Sequence, residues 1–412
     1  MKIEEFIAKA PKSDLHVHLD GSLRPETLID IARREKIKLP SYTVEGLNEL
    51  FFRDHYRNLG EYLSCFKYTV RVMQTPEDLE RIAYEFALDN QAEGVRYVEV
   101  RFAPQLHVNS RMDLGAVLAS VNKGMERAAK AFNSRPEVKK GNEPPFKYGI
   151  ITCALRAFER KSSEYYENFL NAHPYSADKR VFGLASYELA QGVVRVRDQL
   201  GLPLVGFDLS GPEYGHPADD HWKAFQYAHK HFLCKTVHAG EAYGPESIFQ
   251  AITDLHADRI GHAYYLFDEK KIRSKEIGDK KQYVQRLSRY IADRRITIEV
   301  CLTSNLQTNP AIGKLGNHQF KKMQRHKLST TFCTDNRTVS KTTVSREIKL
   351  AVEHFNIRPR ELKNHIIYGF KRCFYPGKYT EKRSYVRSII DYYEKLENPD
   401  KPSSRSTGTK IK

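Results

Sequence analysis

The chain has 412 residues, 40% of them hydrophobic and 29% charged, a balance that suits a soluble globular protein able to bury a sizeable core. No apolar run approaches the roughly 20 residues a membrane helix needs, and the opening Met1-Lys2-Ile3-Glu4-Glu5 carries acids and no apolar stretch, so neither a membrane span nor a secretory signal is expected. Lys+Arg 67 against Asp+Glu 51 gives a net charge of +16, but the charge is scattered from Lys270-Lys271 through Arg294-Arg295 to the C-terminal tail, so it speaks to non-specific association and not to a nucleic-acid motif.

Short apolar runs alternate with longer amphipathic segments from end to end. The first predicted strand covers 15–19, and helical patterns follow at 25–34, 44–51, 59–73 and 76–93. The last of these opens on Thr75-Pro76-Glu77-Asp78, a capping hydroxyl, a proline in the first turn and then acids. Strands at 95–102 and 148–155 flank a helix at 114–132 and a Pro- and charge-rich loop at 135–145. Helices at 162–170 and 177–200 lead to a strand at 204–209. A helix at 218–231, a strand at 235–238, a helix at 245–255 and a strand at 259–262 come next. After an irregular charged stretch at 264–279 come a helix at 281–294, a strand at 296–301, a short helix at 318–326 and a strand at 329–334. Helices at 342–355, 359–370 and 380–397 complete a single domain over 1–397, and the Ser/Lys/Pro-rich residues 398–412 are expected to form a disordered basic tail.

Eight strands each followed by helix is the pattern of a parallel sheet with its helices outside, and it fits an α/β (β/α)8 barrel with extra helices. An open doubly wound sheet is the alternative, but no G-x-G-x-x-G follows the first strand and no phosphate-binding G-x-x-x-x-G-K-[ST] occurs. The six cysteines are scattered and form no C-x-x-C, as expected of buried thiols in a reducing cytoplasm.

In such a barrel the chemistry sits at the C-terminal ends of the strands. The first strand ends in His16-Val17-His18-Leu19-Asp20-Gly21, where alternation puts both imidazoles on one face. The fifth ends at His238-Ala239-Gly240-Glu241, the sixth at Gly261-His262 and the eighth at Thr334-Asp335-Asn336. Taken singly, each of these residues is as well explained as a core, capping or surface group. Together they occupy the same register of different strands and make a nitrogen and oxygen set suited to zinc with room for a water. The other histidines lie mostly in predicted helices or loops and are read as structural.

The segment His16-Val17-His18-Leu19-Asp20-Gly21-Ser22-Leu23-Arg24-Pro25-Glu26-Thr27-Leu28 resembles the opening of adenosine deaminases. Tyr97-Val98-Glu99-Val100-Arg101-Phe102-Ala103-Pro104, Thr236-Val237-His238-Ala239-Gly240-Glu241, Arg259-Ile260-Gly261-His262 and Thr334-Asp335 match that family in order. The resemblance implies a zinc amidohydrolase barrel that deaminates adenosine, and with it 2′-deoxyadenosine, to inosine and ammonia in purine salvage. It further implies one zinc ion held by His16, His18, His238 and Asp335, with Glu241, His262 and Asp335 catalytic. His18, Asp20, Gly211 and Asn336 would contact substrate, and Tyr62, Leu63 and Phe66 match a helix that lids the pocket. Asn336 stands where animal members carry a second aspartate. The expected partner is a small nucleoside, with no specific nucleic acid and no membrane, for a cytoplasmic monomer or weak oligomer. Deamination of adenine or of an N6-modified nucleoside or nucleotide is the alternative activity. A nucleic-acid-binding or signalling protein on a retained barrel is the alternative class. The nucleic-acid deaminases with an H-x-E…P-C-x-x-C signature are excluded by the missing cysteines.

Overall fold

A computed structural model of the chain describes residues 2–398. Eight strands run β1 Lys12–His18, β2 Val95–Phe102, β3 Lys147–Leu155, β4 Leu204–Ser210, β5 Cys234–Ala239, β6 Arg259–His262, β7 Thr297–Val300 and β8 Thr330–Phe332. They pair in parallel in chain order. The barrel closes through the residues just past β8: the His18 amide donates to the Asp335 carbonyl at 2.7 Å and the Asp335 amide to the His16 carbonyl at 2.8 Å. The backbone of one predicted site residue is thereby stitched to the backbone of two others. This is the (β/α)8 architecture read from the sequence.

Every residue of β1 and β2 is buried, one face of each under helices and the other lining the barrel. The interior of the barrel is not filled by aliphatic side chains alone. Glu99, Arg259, Glu299, Arg101 and Asp208, all wholly buried, form a continuous chain of ion pairs from β2, β4, β6 and β7. Each charge in it has an opposite partner and further hydrogen bonds, the condition under which buried ions are tolerated. The Arg259 guanidinium carbon also sits 3.5 Å from the centre of the Phe374 ring.

Most predicted boundaries hold to within a few residues, and β2 and β6 coincide with the predicted spans. The predicted helix at 59–73 is broken into Leu59–Leu63, Phe66–Thr69 and a 3-10 turn at Val70–Val72. The break falls at Ser64, whose hydroxyl bonds back to the Glu61 carbonyl at 2.6 Å, and the β-branched run beyond it favours the tighter turn. The 135–145 loop contains a helical turn at Pro136–Lys139. Two helices were not expected, Ile3–Lys9 and Leu302–Thr308. The second contains Thr303, Ser304, Asn305 and Thr308, all poor helix formers, and is anchored by the buried Glu347 carboxylate, which accepts from the Thr303 amide at 3.2 Å. Of the expected tail, residues 399–412 lie outside the described residues.

Candidate active site

The strand ends bring His16, His18, His238, His262, Asp335 and Glu241 into one cluster at the C-terminal mouth of the barrel. One ligand atom from each of His16, His238, His262 and Asp335 lies within 4.8 Å of the others. His18 adds a fifth group, its Nε2 3.2 Å from His238 Nε2 and 3.5 Å from Asp335 Oδ1. Burial holds the His18 and His238 rings below their usual pKa, so both are neutral, as a ligand must be.

Partners behind the rings fix which nitrogen carries the hydrogen. His16 Nδ1 donates to Glu299 at 2.8 Å, and His238 Nδ1 donates to Asp208 at 3.1 Å. Ionised carboxylates only accept, so the neutral form of each ring keeps its lone pair on Nε2. Against the effect of burial, the Asp335 and Glu299 carboxylates beside His16 raise its pKa, so there a proton competes with a metal for that lone pair. His16 Nε2 is buried without a hydrogen-bond partner, and 3.3 Å away lies Asp335 Oδ1, another lone-pair donor. Lone pairs converging in a dry site are stable only around a cation, so the donor set fits a bound metal. Asp335 is held ready by Ser304, whose hydroxyl donates to Oδ2 at 2.6 Å.

Glu241 sits on the loop after β5, its side chain 8% exposed, with Oε1 3.8 Å from His262 Nε2. Burial, reinforced by the nearby Asp335 and Glu213 carboxylates, pushes its pKa up to about 8, so at pH 7 it is mostly protonated. The loop is held by Glu213, which accepts from the amides of Gly240, Glu241, Ala242 and Tyr243 and from the Ser247 hydroxyl at 2.5 to 3.0 Å. His262 and Asp335 both adopt left-handed backbone, φ +64° and +60°, a strain that non-glycine residues bear where the surrounding structure fixes it. At Gly261 any side chain would meet His16, since a Cβ there would lie 2.8 Å from Cε1.

Asp20 is buried with Oδ1 unpartnered, and burial raises its pKa to about 7. Gly211 follows β4 at φ +98°, a conformation that suits glycine. Asn336 donates to the Tyr62 hydroxyl at 2.7 Å, and Tyr62 in turn bonds Ser340 at 2.8 Å. The Asn336 amide is thus engaged through Nδ2, while its Oδ1 is buried without a hydrogen-bond partner. Phe66 lies with its ring centroid 6.5 Å from that of His18, and Leu63 is half-buried against the core. His16, His18, His238, His262, Asp335, Glu241 and Asp20 are thus brought together at the strand ends, Asn336 follows Asp335 in the chain and bonds Tyr62, and Gly211 lies at the end of an adjacent strand. Sequence reasoning missed Glu299, Asp208, Glu213, Ser304 and Asn305. The available signal was an acid in mid-strand, as in Phe207-Asp208-Leu209 and Ile298-Glu299-Val300, where burial demands a partner.

The family model for adenosine deaminase matches residues 11–392. The chain belongs to the adenosine deaminase family. Among curated relatives, the adenosine deaminase of Mycobacterium leprae (strain TN) is 36% identical over 389 residues, covering 94% of this chain and 96% of the relative. Among solved structures, an adenine deaminase from Arthrobacter aurescens superposes with a TM-score of 0.71 at 19% identity, over 93% of this chain and 99% of that one. An amidohydrolase from Burkhoderia ambifaria, with bound Zn, gives 0.74 at 20% identity, over 96% and 94%. These structural likenesses show the shared fold, and family membership makes the chain a hydrolytic deaminase. No helix among the described residues is long and apolar enough to cross a membrane.

Proposed function

We propose that the protein converts adenosine, and 2′-deoxyadenosine, to inosine and ammonia with one zinc ion held by His16, His18, His238 and Asp335. The observation that carries this reading is the pairing of two ring nitrogens, His16 Nε2 and His238 Nε2, stripped of hydrogen by carboxylates behind them, with a protonated acid, Glu241, beside the same cluster. The near-complete match to adenosine deaminases at 36% identity favours the nucleoside over other aminopurines.

Zinc supplies hydroxide at neutral pH by lowering the pKa of its water to about 7. Asp335 and His262 take up the proton of the attacking water and turn its oxygen towards C6. Attack at C6 breaks the aromaticity of the ring and drives the electron pair to N1. Protonated Glu241 delivers its proton to N1 and acts as the general acid. The proton taken up by Asp335 passes to the amino nitrogen, the bond from C6 to that nitrogen breaks, and ammonia leaves as the C6 oxygen loses its remaining proton and becomes the carbonyl of inosine. Asp20 binds the 5′ hydroxyl, the Gly211 amide meets purine N3, the free amide hydrogen of Asn336 faces N7, and His18 packs beside the sugar. Phe66 and Leu63 exclude bulk water, which strengthens every polar contact inside. The ionised fraction of Asp20 repels a 5′ phosphate, and its protonation near pH 7 leaves that repulsion partial, which tilts the site towards the nucleoside.

The test is an ultraviolet assay on zinc-loaded protein with adenosine, adenine and AMP in parallel. Adenosine is expected to be converted fastest. Unchanged adenosine absorbance, or faster conversion of adenine or AMP, would overturn the reading.

A further inference from the structure

His262 differs from the other ring groups of the cluster in what stands behind it. No carboxylate faces its Nδ1. Instead Asn305 Nδ2 lies 3.1 Å away, on the unexpected helix Leu302–Thr308. The same amide presents Oδ1 to His318 Nε2 at 3.1 Å. His318 Nδ1 in turn accepts from the backbone amide of Phe320 at 3.0 Å. Asn305 and His318 are both fully buried, so no water substitutes for these partners.

A backbone amide can only donate, which fixes every hydrogen further along. The Phe320 amide makes His318 Nδ1 an acceptor, so a neutral His318 carries its hydrogen on Nε2. That hydrogen requires the oxygen of Asn305, which turns the Asn305 NH₂ towards His262. His262 Nδ1 is therefore an acceptor, and its single hydrogen sits on Nε2, the nitrogen that faces Glu241 and the metal cluster. In His16 and His238 the arrangement is the reverse, with the hydrogen on Nδ1.

We infer that Asn305 and His318 are positioning residues that lock His262 as its Nε2–H tautomer, making it a hydrogen-bond donor to the attacking oxygen and not a metal ligand or the first proton acceptor. This rests on the deaminase reading above and divides the two roles given there: Asp335 takes the proton, and His262 orients the oxygen. The relay also sets His262 apart from His16 and His238, since a ring holding Nε2–H cannot ligate through that atom.

Asn305→Asp provides the test. It keeps the shape but replaces the amide donor by a second acceptor, so it demands Nδ1–H from His262 and inverts the tautomer. The first readout is the ¹⁵N spectrum of histidine-labelled, zinc-loaded protein, with the His262 signals assigned by their loss in His262→Gln. The unaltered protein is expected to show His262 Nε2 protonated and Nδ1 bare, and Asn305→Asp the reverse. The second readout is steady-state kinetics with adenosine: kcat is expected to fall by about 10²-fold, the scale of a misplaced proton-handling group, with KM and zinc content little changed. Protonated Nδ1 in the unaltered protein, an unchanged tautomer in Asn305→Asp, or an inverted tautomer with full kcat would each overturn the inference. If Asn305→Asp does not fold, His318→Leu serves in its place. It removes the group that orients the amide, and a mixture of tautomers is expected where an unchanged single tautomer would overturn the inference. Absence of adenosine turnover in the unaltered protein would overturn the proposed reaction while leaving the spectrum as the test of the relay.

Discussion

His16 Nδ1 lies 2.8 Å from the Glu299 carboxylate, with both side chains wholly buried. Glu299 also takes hydrogen bonds from Arg101 and Arg259, so one acid ties the first strand of the barrel to the second and sixth. It sets the His16 tautomer and balances two buried cations at once. Glu299→Gln is expected to weaken zinc binding by about 10- to 100-fold, measured by chelator competition. It also leaves two guanidinium groups short of charge, so a loss of about 3–5 kcal/mol in stability is expected from denaturant melts. Unaltered zinc affinity would remove Glu299 from the account of the metal site.

Glu241 makes the complementary prediction. It lies outside the proposed ligand set, so Glu241→Gln is expected to retain zinc while kcat falls by about 10²–10⁴-fold, the range for loss of a general acid. Loss of zinc from this variant, measured by metal analysis, would make Glu241 a ligand instead.

In the proposed reading, Asp20 binds substrate on the same strand end whose histidines bind metal. A hydrogen bond contributes about 1 kcal/mol to a neutral acid and about 1.5–3 kcal/mol to a charged one, and Asp20 with a pKa of about 7 samples both, so Asp20→Ala is expected to raise KM for adenosine by about 5- to 100-fold with zinc content unchanged. An unchanged KM would show that the 5′ hydroxyl is held elsewhere.

Buried histidines remote from the cluster predict an acid limit to stability. Burial lowers His107 and His365 to about 4 and His221 to about 3. Their unfolded-state value is about 6.5, so between about pH 6.5 and 4 the unfolded chain binds more protons than the folded one. Stability is therefore full above about pH 6.5 and falls as pH drops through that window. His107, whose Nδ1 donates to the Met73 carbonyl at 3.0 Å, gives the control. His107→Gln keeps a donor without titrating, and is expected to flatten the fall in Tm between pH 7 and 5 measured at equal zinc loading. An identical slope in the variant would contradict this assignment.

The barrel was legible because its signals are local. Alternation of short apolar runs with helical periods is written residue by residue, and glycine at Gly94 and proline at Pro76 mark where elements turn. The predicted site residues were legible because strand ends converge by topology, so a histidine at the end of β5 and another at the end of β6 meet without any contact being known. What sits behind them was not. Glu299 reads in sequence as an acid between Ile298 and Val300, and only register places it against His16, Arg101 and Arg259. The helix carrying Ser304 and Asn305 was invisible because its residues disfavour helix, and it exists through Glu347, which follows it by about forty residues. His318 was read as structural, and its bond to Asn305 depends on a backbone amide at Phe320 that no side-chain pattern reports.

In the proposed reaction a single zinc ion held by these strand ends is required for deamination. Metal-stripped protein titrated with zinc, with bound metal and adenosine turnover measured on the same samples, tests it most directly. Turnover is expected to rise in proportion to bound zinc and to stop rising at one ion per chain, and His16→Ala to bind none at that site and turn over nothing. Full turnover in metal-stripped protein, or in His16→Ala, would contradict the account.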